Sequence, residues 1–154
     1  MKASIIIPNL NGEGWIKDSI DSCINQDFKE EYEIIIIDNG SKDRSVEIIE
    51  ECATRFKNFK IIKFRENTGF SYAVNRGIEA SDAEYAVLFN NDAFAQPDWL
   101  SQLVAVADTD ENIFSVGSLM VQHFHRDLAD DAGDYVPLFG WTCKRGDGLS
   151  KDRY

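Results

Sequence analysis

Two stretches near the N-terminus are apolar without a break, ASIIIP at 3–8 and YEIIIID at 32–38. A strand with one wet face alternates apolar and polar residues; a strand covered on both faces does not. Both runs therefore predict buried strands of a parallel sheet. FKIIKF at 59–64 and EYAVLFN at 84–90 add two more β-rich runs. Between them the period changes. Ile16, Ile20, Cys23 and Ile24 recur at helical spacing within 14–26, and Val46, Ile49, Cys52, Ala53 and Phe56 within 44–56. A third helix is predicted from Phe70 to Ala80, burying Ala73, Val74 and Ile78. A fourth takes Pro97 as its first residue, with Trp99, Leu100, Leu103, Val104 and Ala107 as its apolar face. Strand and helix alternate four times, which predicts an α/β fold: an open, mainly parallel sheet, right-handed crossovers, helices on both faces.

The pattern changes after Asp110. IFSVGSLMVQH, 113–123, reads as one more strand. From Phe124 the chain is loop-like, with Gly133, Gly140, Gly146 and Gly148 among scattered aromatics. The expected organisation is an α/β ligand-binding core over 1–123 and an incomplete, loop-rich region over 124–154.

Ligands of open α/β sheets sit beyond the carboxyl ends of the strands. The residues that follow each predicted strand are therefore the candidates. They are Asn9-Leu10-Asn11-Gly12-Glu13, Asp38-Asn39-Gly40-Ser41-Lys42-Asp43, Arg65-Glu66-Asn67-Thr68-Gly69 and Asn90-Asn91-Asp92. Each cluster alone is ordinary turn chemistry. Asp38 is less ordinary. A carboxylate closing a run of four isoleucines is partly buried, and buried charge needs a partner in the protein or in a ligand. Asp92 poses the same question.

Composition narrows the ligand. With 27 acidic and 16 basic residues the formal net charge is −11, which argues against sequence-independent nucleic-acid binding. A small anionic ligand needs an offsetting cation. Neither GxxxxGK[ST] nor GxGxxG occurs, so a P-loop enzyme and a dinucleotide-dependent oxidoreductase are disfavoured. Mg²⁺ or Mn²⁺ accepts one or two carboxylates plus phosphate oxygens, and Asp92 with a neighbouring amide offers such a site. His123 and His125 are the only histidines and suggest no zinc centre. Cys23, Cys52 and Cys143 form no CxxC pair and read as reduced thiols. No segment has membrane-spanning length, and the first residues are too short an apolar run for a signal peptide. The expected location is cytoplasmic, with peripheral association at the inner membrane face left open.

SIIIPNLNG (4–12), IIIIDNGSKDRSVE (34–47), ENTGFSYAVNRGI (66–78), LFNNDAFAQPDWL (88–100) and AGDYVPLFGWTCKRGDG (132–148) together resemble the family two glycosyltransferases of GT-A fold, and within them the bacterial rhamnosyltransferase-like members. The resemblance implies a Rossmann-like nucleotide-diphospho-sugar transferase fold. It implies a metal-dependent, inverting transfer from a nucleotide-diphosphate sugar to a saccharide or lipid-linked acceptor, in bacterial cell-surface polysaccharide synthesis. The family's DxD signature falls on Asn90-Asn91-Asp92. By this resemblance Asp92 contacts the metal on the donor diphosphate, and Asn90 keeps an acceptor oxygen without the charge. Asp38 recognises the base, beside Asn39 and Gly40. Pro8, Asn9, Asn11 and Glu13 line the nucleotide pocket. Asn67, Gly69, Phe70 and Asn75 line the donor cleft, and Arg76 either meets a phosphate or pairs along its helix.

Members of this kind use a carboxylate base downstream of DxD. No clear equivalent stands here, and Asp127, Asp130, Asp131 and Asp134 are candidates by charge only. The chain stops where an acceptor half is expected to begin, as in the donor-binding portion of a longer transferase. The alternative reading is therefore a nucleotide-sugar binding module without turnover. Phe139 and Trp141 leave room for cover by further chain or by a second copy in a homo-oligomer. A receiver-like domain is disfavoured, since it wants paired acids after the first strand, where Asn9 and Asn11 stand.

Overall fold

The structure, a computed structural model, describes residues 1–154, which divide into two compact units, 1–101 and 102–154. In the first unit four strands form one sheet: β1 (Ala3–Asn9), β2 (Tyr32–Asp38), β3 (Phe59–Lys63) and β4 (Tyr85–Leu88). Their order is β3-β2-β1-β4 and every pairing is parallel. All four strands predicted from hydrophobic pattern are present. The unbroken isoleucine runs occupy the two central positions, where Ile5, Ile6, Ile7, Ile34, Ile35, Ile36 and Ile37 are fully buried. Continuous apolarity in these strands follows from having two covered faces.

Helices α1 (Ile16–Ile24), α2 (Ser45–Ala53) and α3 (Phe70–Glu79) fill the crossovers, and α4 (Trp99–Ala107) follows β4. One face of the sheet takes α1 and α2, which pack on each other. The Tyr32 hydroxyl fixes that side by donating to the carbonyls of Cys23 and Ile24 at the end of α1. The other face takes α3, where Ala73 packs with Ile6, Ile35 and Ile37. Ile78, expected in that core, is exposed, and Gly77 faces the sheet instead. A Cβ at Gly77 would stand 2.4 Å from Cγ2 of Ile6 and 2.7 Å from Cδ1 of Ile37, so this helix rides too close to the sheet for any side chain there. Pro97 lies in the turn before α4 rather than at its first residue.

Two buried carboxylates bracket the isoleucines of β2, at opposite edges of the sheet. Glu33, 3% exposed, accepts from the Ser4 hydroxyl at 2.7 Å and pairs with Lys60 at 2.8 Å. Asp38, 2% exposed, closes the strand at the other edge.

The second unit is built of short pieces. The strand expected at 113–123 does not form as such. Only β5 (Met120–Val121) is extended and paired, antiparallel to β6 (Ala129–Asp131) with an irregular register. Gly117 and flanking serines break the run. β7 (Asp134–Tyr135) and β8 (Cys143–Lys144) form a second antiparallel pair. The segment joining them carries exposed Leu138, Phe139 and Trp141. No helix is long and apolar enough to cross a membrane.

Candidate functional site

Parallel strands deliver all their carboxyl ends to one edge. Here the register is in step, with Asn9 beside Asp38 and Asp38 beside Lys63. The side chains at this edge are tied together across three strands. The side-chain nitrogen of Asn9 donates to Oδ1 of Asp38 at 3.0 Å and to the Ser41 hydroxyl at 3.2 Å. Oδ1 of Asn9 accepts from Nδ2 of Asn91 at 2.9 Å. Asp38 further accepts from the Ser41 hydroxyl at 2.5 Å and from the Ser41 amide at 3.1 Å. The ends of β1, β2 and β4 thus share one hydrogen-bonded chain, and the loops carrying Asp38 and Asp92 lie on the same rim.

This arrangement supplies the partner that a buried Asp38 demands: Asn9 and Ser41 hold it within the protein. Ser41 was not singled out from sequence. Its signal was its place in a turn-forming Asp-Asn-Gly-Ser run, where the Asp38 carboxylate reaches the amide three residues on. Asn9, 1% exposed, spends both ends of its amide inside this network.

A second set of bonds clamps the β1–α1 loop to the β2–α2 loop. Oδ1 of Asn11 accepts from the Lys42 amide at 2.8 Å, and Glu13 accepts from the Arg44 amide at 3.0 Å. Asp43 accepts from the Glu13 amide at 2.9 Å, and the Gly12 amide donates to the Ser45 hydroxyl at 2.9 Å. Burial works to raise the Asp43 carboxyl, but hydrogen bonds from the Ser45 hydroxyl and from the Glu13 and Ser45 amides hold it below the usual carboxylate range. Asn11 adopts φ 51°, a left-handed conformation that asparagine tolerates better than most residues. Pro8 precedes Asn9 within β1 and is partly exposed.

The β3–α3 loop is fastened through Asn39. Its oxygen accepts from the Thr68 amide and hydroxyl, both at 2.9 Å, and its nitrogen donates to Asn67 at 3.0 Å and to the Gly69 carbonyl at 3.2 Å. Gly40, with φ 82°, passes so near Glu66 that a Cβ would lie 2.7 Å from its backbone. At Gly69 a Cβ would meet nothing within 4 Å. Phe70 is 60% exposed at the start of α3. Asn75 is also exposed on α3 and has no bond to the strand-end network. Arg76 is ion-paired with Glu79 along the helix.

The β4 end is held from α1 and from the segment that follows it. The Ser19 hydroxyl donates to the Asn90 carbonyl at 3.2 Å, Ser22 accepts from the Ala95 amide at 3.0 Å, and Gln26 accepts from the Leu100 amide at 2.8 Å. These bonds fix the backbone of 90–100 and leave the Asp92 carboxylate exposed, with no partner in the chain. No group of three or more histidine, cysteine, aspartate or glutamate side chains gathers anywhere. Any cation here must draw most of its ligands from elsewhere. An exposed, unpaired carboxylate fits a hard, oxygen-seeking ion that completes its shell with phosphate and water.

An open parallel α/β sheet with a polar, cross-linked carboxyl edge defines the class; sequence comparison defines the family. Residues 4–134 match the model of Glycosyl transferase family 2, and the chain belongs to that family. An uncharacterized glycosyltransferase of Haemophilus influenzae is 31% identical over 147 residues, covering 96% of this chain and 55% of its own length. The poly(ribitol-phosphate) beta-glucosyltransferase of Bacillus spizizenii is 31% identical over 121 residues, 77% of this chain and 19% of its own. The chain thus spans about half of one relative and a fifth of the other. Among solved structures, a mannosyltransferase from Pyrobaculum calidifontis in complex with GDP-Man and Mn²⁺ superposes with a TM-score of 0.67 at 20% identity. It covers 79% of this chain and 35% of that one. That likeness establishes the shared fold.

Proposed function

We propose that this protein is the donor-binding part of an inverting glycosyltransferase. It takes a sugar from a nucleotide-diphosphate donor and passes it to a saccharide or lipid-linked acceptor of a bacterial cell-surface polysaccharide. The similarity to rhamnosyltransferase-like members points to a deoxysugar donor. The poly(ribitol-phosphate) glucosyltransferase among its relatives supports a surface-polymer acceptor.

One observation carries the reading. Side chains at the ends of β1, β2 and β4 are bonded into a single rim, from which the Asp92 carboxylate projects exposed and unpaired. Asp92 would hold Mg²⁺ or Mn²⁺ against the donor diphosphate, in line with the Mn²⁺ and GDP-Man bound by the Pyrobaculum enzyme. When bound, such an ion acts as a Lewis acid on the departing diphosphate. The chain's own contribution is to position. The clamp between the 9–13 and 41–45 loops shapes the nucleotide side, and the bonds from α1 hold the 90–100 backbone in place. The base is assigned to the Asp38–Asn39–Gly40 turn, with Pro8, Asn11 and Glu13 beside it. Asn67, Gly69, Phe70 and Asn75 are assigned to the sugar side.

The nucleotide-sugar binding module without turnover has an observation in its favour for these 154 residues. Of the four acids nominated as base by charge alone, Asp130 is paired with Lys144 and Asp131 accepts from the Gly133 amide, which leaves Asp127 and Asp134 without a side-chain partner. The two readings share one experiment. UDP-, dTDP- and GDP-sugars are titrated calorimetrically with and without Mn²⁺, product is then assayed with varied acceptors, and both are repeated on Asp92→Ala. Mn²⁺-dependent binding that the variant loses is expected. Unchanged affinity in Asp92→Ala rejects the metal site, and binding without product selects the module.

A further inference from the structure

We infer that Asp38, acting through Asn9, decides which end of the Asn91 amide faces outward, and so presents an acceptor oxygen for the cation next to Asp92. The inference rests on the metal reading above and assigns Asp38 and Asn9 as positioning residues for the ion.

The donor and acceptor inventory sets the direction. A carboxylate only accepts. Oδ1 of Asp38 faces the side chain of Asn9 at 3.0 Å, so Asn9 must turn its NH₂ that way. Its oxygen then faces β4, where it accepts from Nδ2 of Asn91 at 2.9 Å. Asn91 has committed its NH₂ inward, and its own oxygen takes no hydrogen bond from the chain. Turning either amide over would set oxygen against oxygen at one of the two contacts. Free asparagines present either end of the amide; these two do not, because an acceptor-only group terminates the row.

The sense of the row matters only if something outside reads it. A hard cation takes oxygen and rejects an NH₂. With Asn at 90, the loop brings one carboxylate rather than the two of a DxD pattern, so the orientation of its neutral ligand carries more weight. Gly12 guards the same contact: a Cβ there would stand 2.3 Å from Oδ1 of Asn9 and 2.5 Å from Nδ2 of Asn91.

A double-mutant cycle tests the direction. In Asp38→Asn the row can reverse, with an NH₂ at 38 feeding the Asn9 oxygen and the Asn9 NH₂ turning to 91. The Asn91 oxygen is then drawn inward. Adding Asn91→Asp supplies an oxygen at both ends, one for the reversed Asn9 and one for the ion. Mn²⁺ affinity is read by the loss of free-ion paramagnetic resonance, in the presence of UDP, dTDP or GDP. Asp38→Asn alone is expected to weaken Mn²⁺ by about 10–100-fold, the range for a residue that orients a metal ligand. On the Asn91→Asp background the same substitution is expected to leave Mn²⁺ affinity unchanged or raised. Equal losses on both backgrounds overturn the inference and leave Asp38 a base-binding or structural residue. Parent protein that holds no Mn²⁺ with any of the three nucleotides overturns the metal reading as well. Should Asp38→Asn not fold, side-chain amide NMR of the parent decides. Slow solvent exchange of the Asn9 and Asn91 NH₂ protons is expected, and rapid exchange of either rejects the row.

Discussion

Gly12 and Asn9 are in contact with no room between them: a methyl group on Gly12 would sit 2.3 Å from the Asn9 side-chain oxygen. The Gly12 backbone is not left-handed, so alanine there meets no conformational penalty, only the collision. Gly12→Ala is expected to lower stability by about 1–3 kcal/mol, the usual range for overpacking, and to weaken Mn²⁺-dependent nucleotide binding at the same time. Urea melts and calorimetry check the pair. A variant that binds nucleotide as the parent does would show the Asn9 contact to be dispensable.

Gly40→Ala meets both obstacles. Its φ of 82° disfavours a side chain, and the new Cβ would lie 2.7 Å from the Glu66 backbone, which cannot turn aside. A loss of about 2 kcal/mol or more is expected from strain and collision together. Gly69→Ala, also at positive φ but in open space, is expected to lose less. The comparison is read from the two urea midpoints.

Acid should open the clamp between the loops after β1 and β2. The folded-state carboxyl of Asp43 is held below its ordinary value by the hydrogen bonds it accepts, despite burial acting the other way. Its contribution is therefore complete above the unfolded carboxylate range, about pH 4. It is lost as pH falls through the lower folded value. Asp43→Asn is expected to lower stability at neutral pH and to flatten the acid side of the stability profile. Urea midpoints for both proteins, taken between about pH 3 and pH 7, measure it.

Thiol reactivity should separate the three cysteines. Burial pushes the Cys23 thiol up to about 12. Cys52 is also raised by burial, although the Arg55 guanidinium pulls the other way. Cys143 alone is partly exposed. With a chromogenic disulfide at neutral pH, Cys143 is expected to react promptly, and Cys23 and Cys52 only after denaturation.

The sheet was legible because its signal is cumulative. Uninterrupted isoleucine over β1 and β2 has no other comfortable home, and the polar tails of four parallel strands must share one edge. Side-chain burial was less legible where packing distance decides it. Ile78 suits a helix core by spacing, yet α3 lies against Ile6 and Ile37 so closely that Gly77 takes the inward position. The 113–123 run failed for a different reason. Its apolar residues are interrupted by Gly117 and serines, and only Met120–Val121 finds a partner strand. At the rim the sequence announced Asp38, Asn9 and Asn91 but not their connection. Spacing along a chain does not reveal that three strand ends are bonded side by side, nor that Ser41 and Ser45 join them.

The bracketing of β2 by Glu33 and Asp38 has a consequence before the fold exists. Tyr-Glu-Ile-Ile-Ile-Ile-Asp is a short, β-prone, proline-free window of the kind that seeds intermolecular stacking when it is solvent-exposed. In the nascent or denatured chain its two acids carry like charge on every copy. They act as gatekeepers that disfavour in-register association. In the finished domain Glu33 is paired with Lys60 and Asp38 is hydrogen-bonded by Asn9 and Ser41, so a guard against aggregation becomes part of the native hydrogen-bond framework.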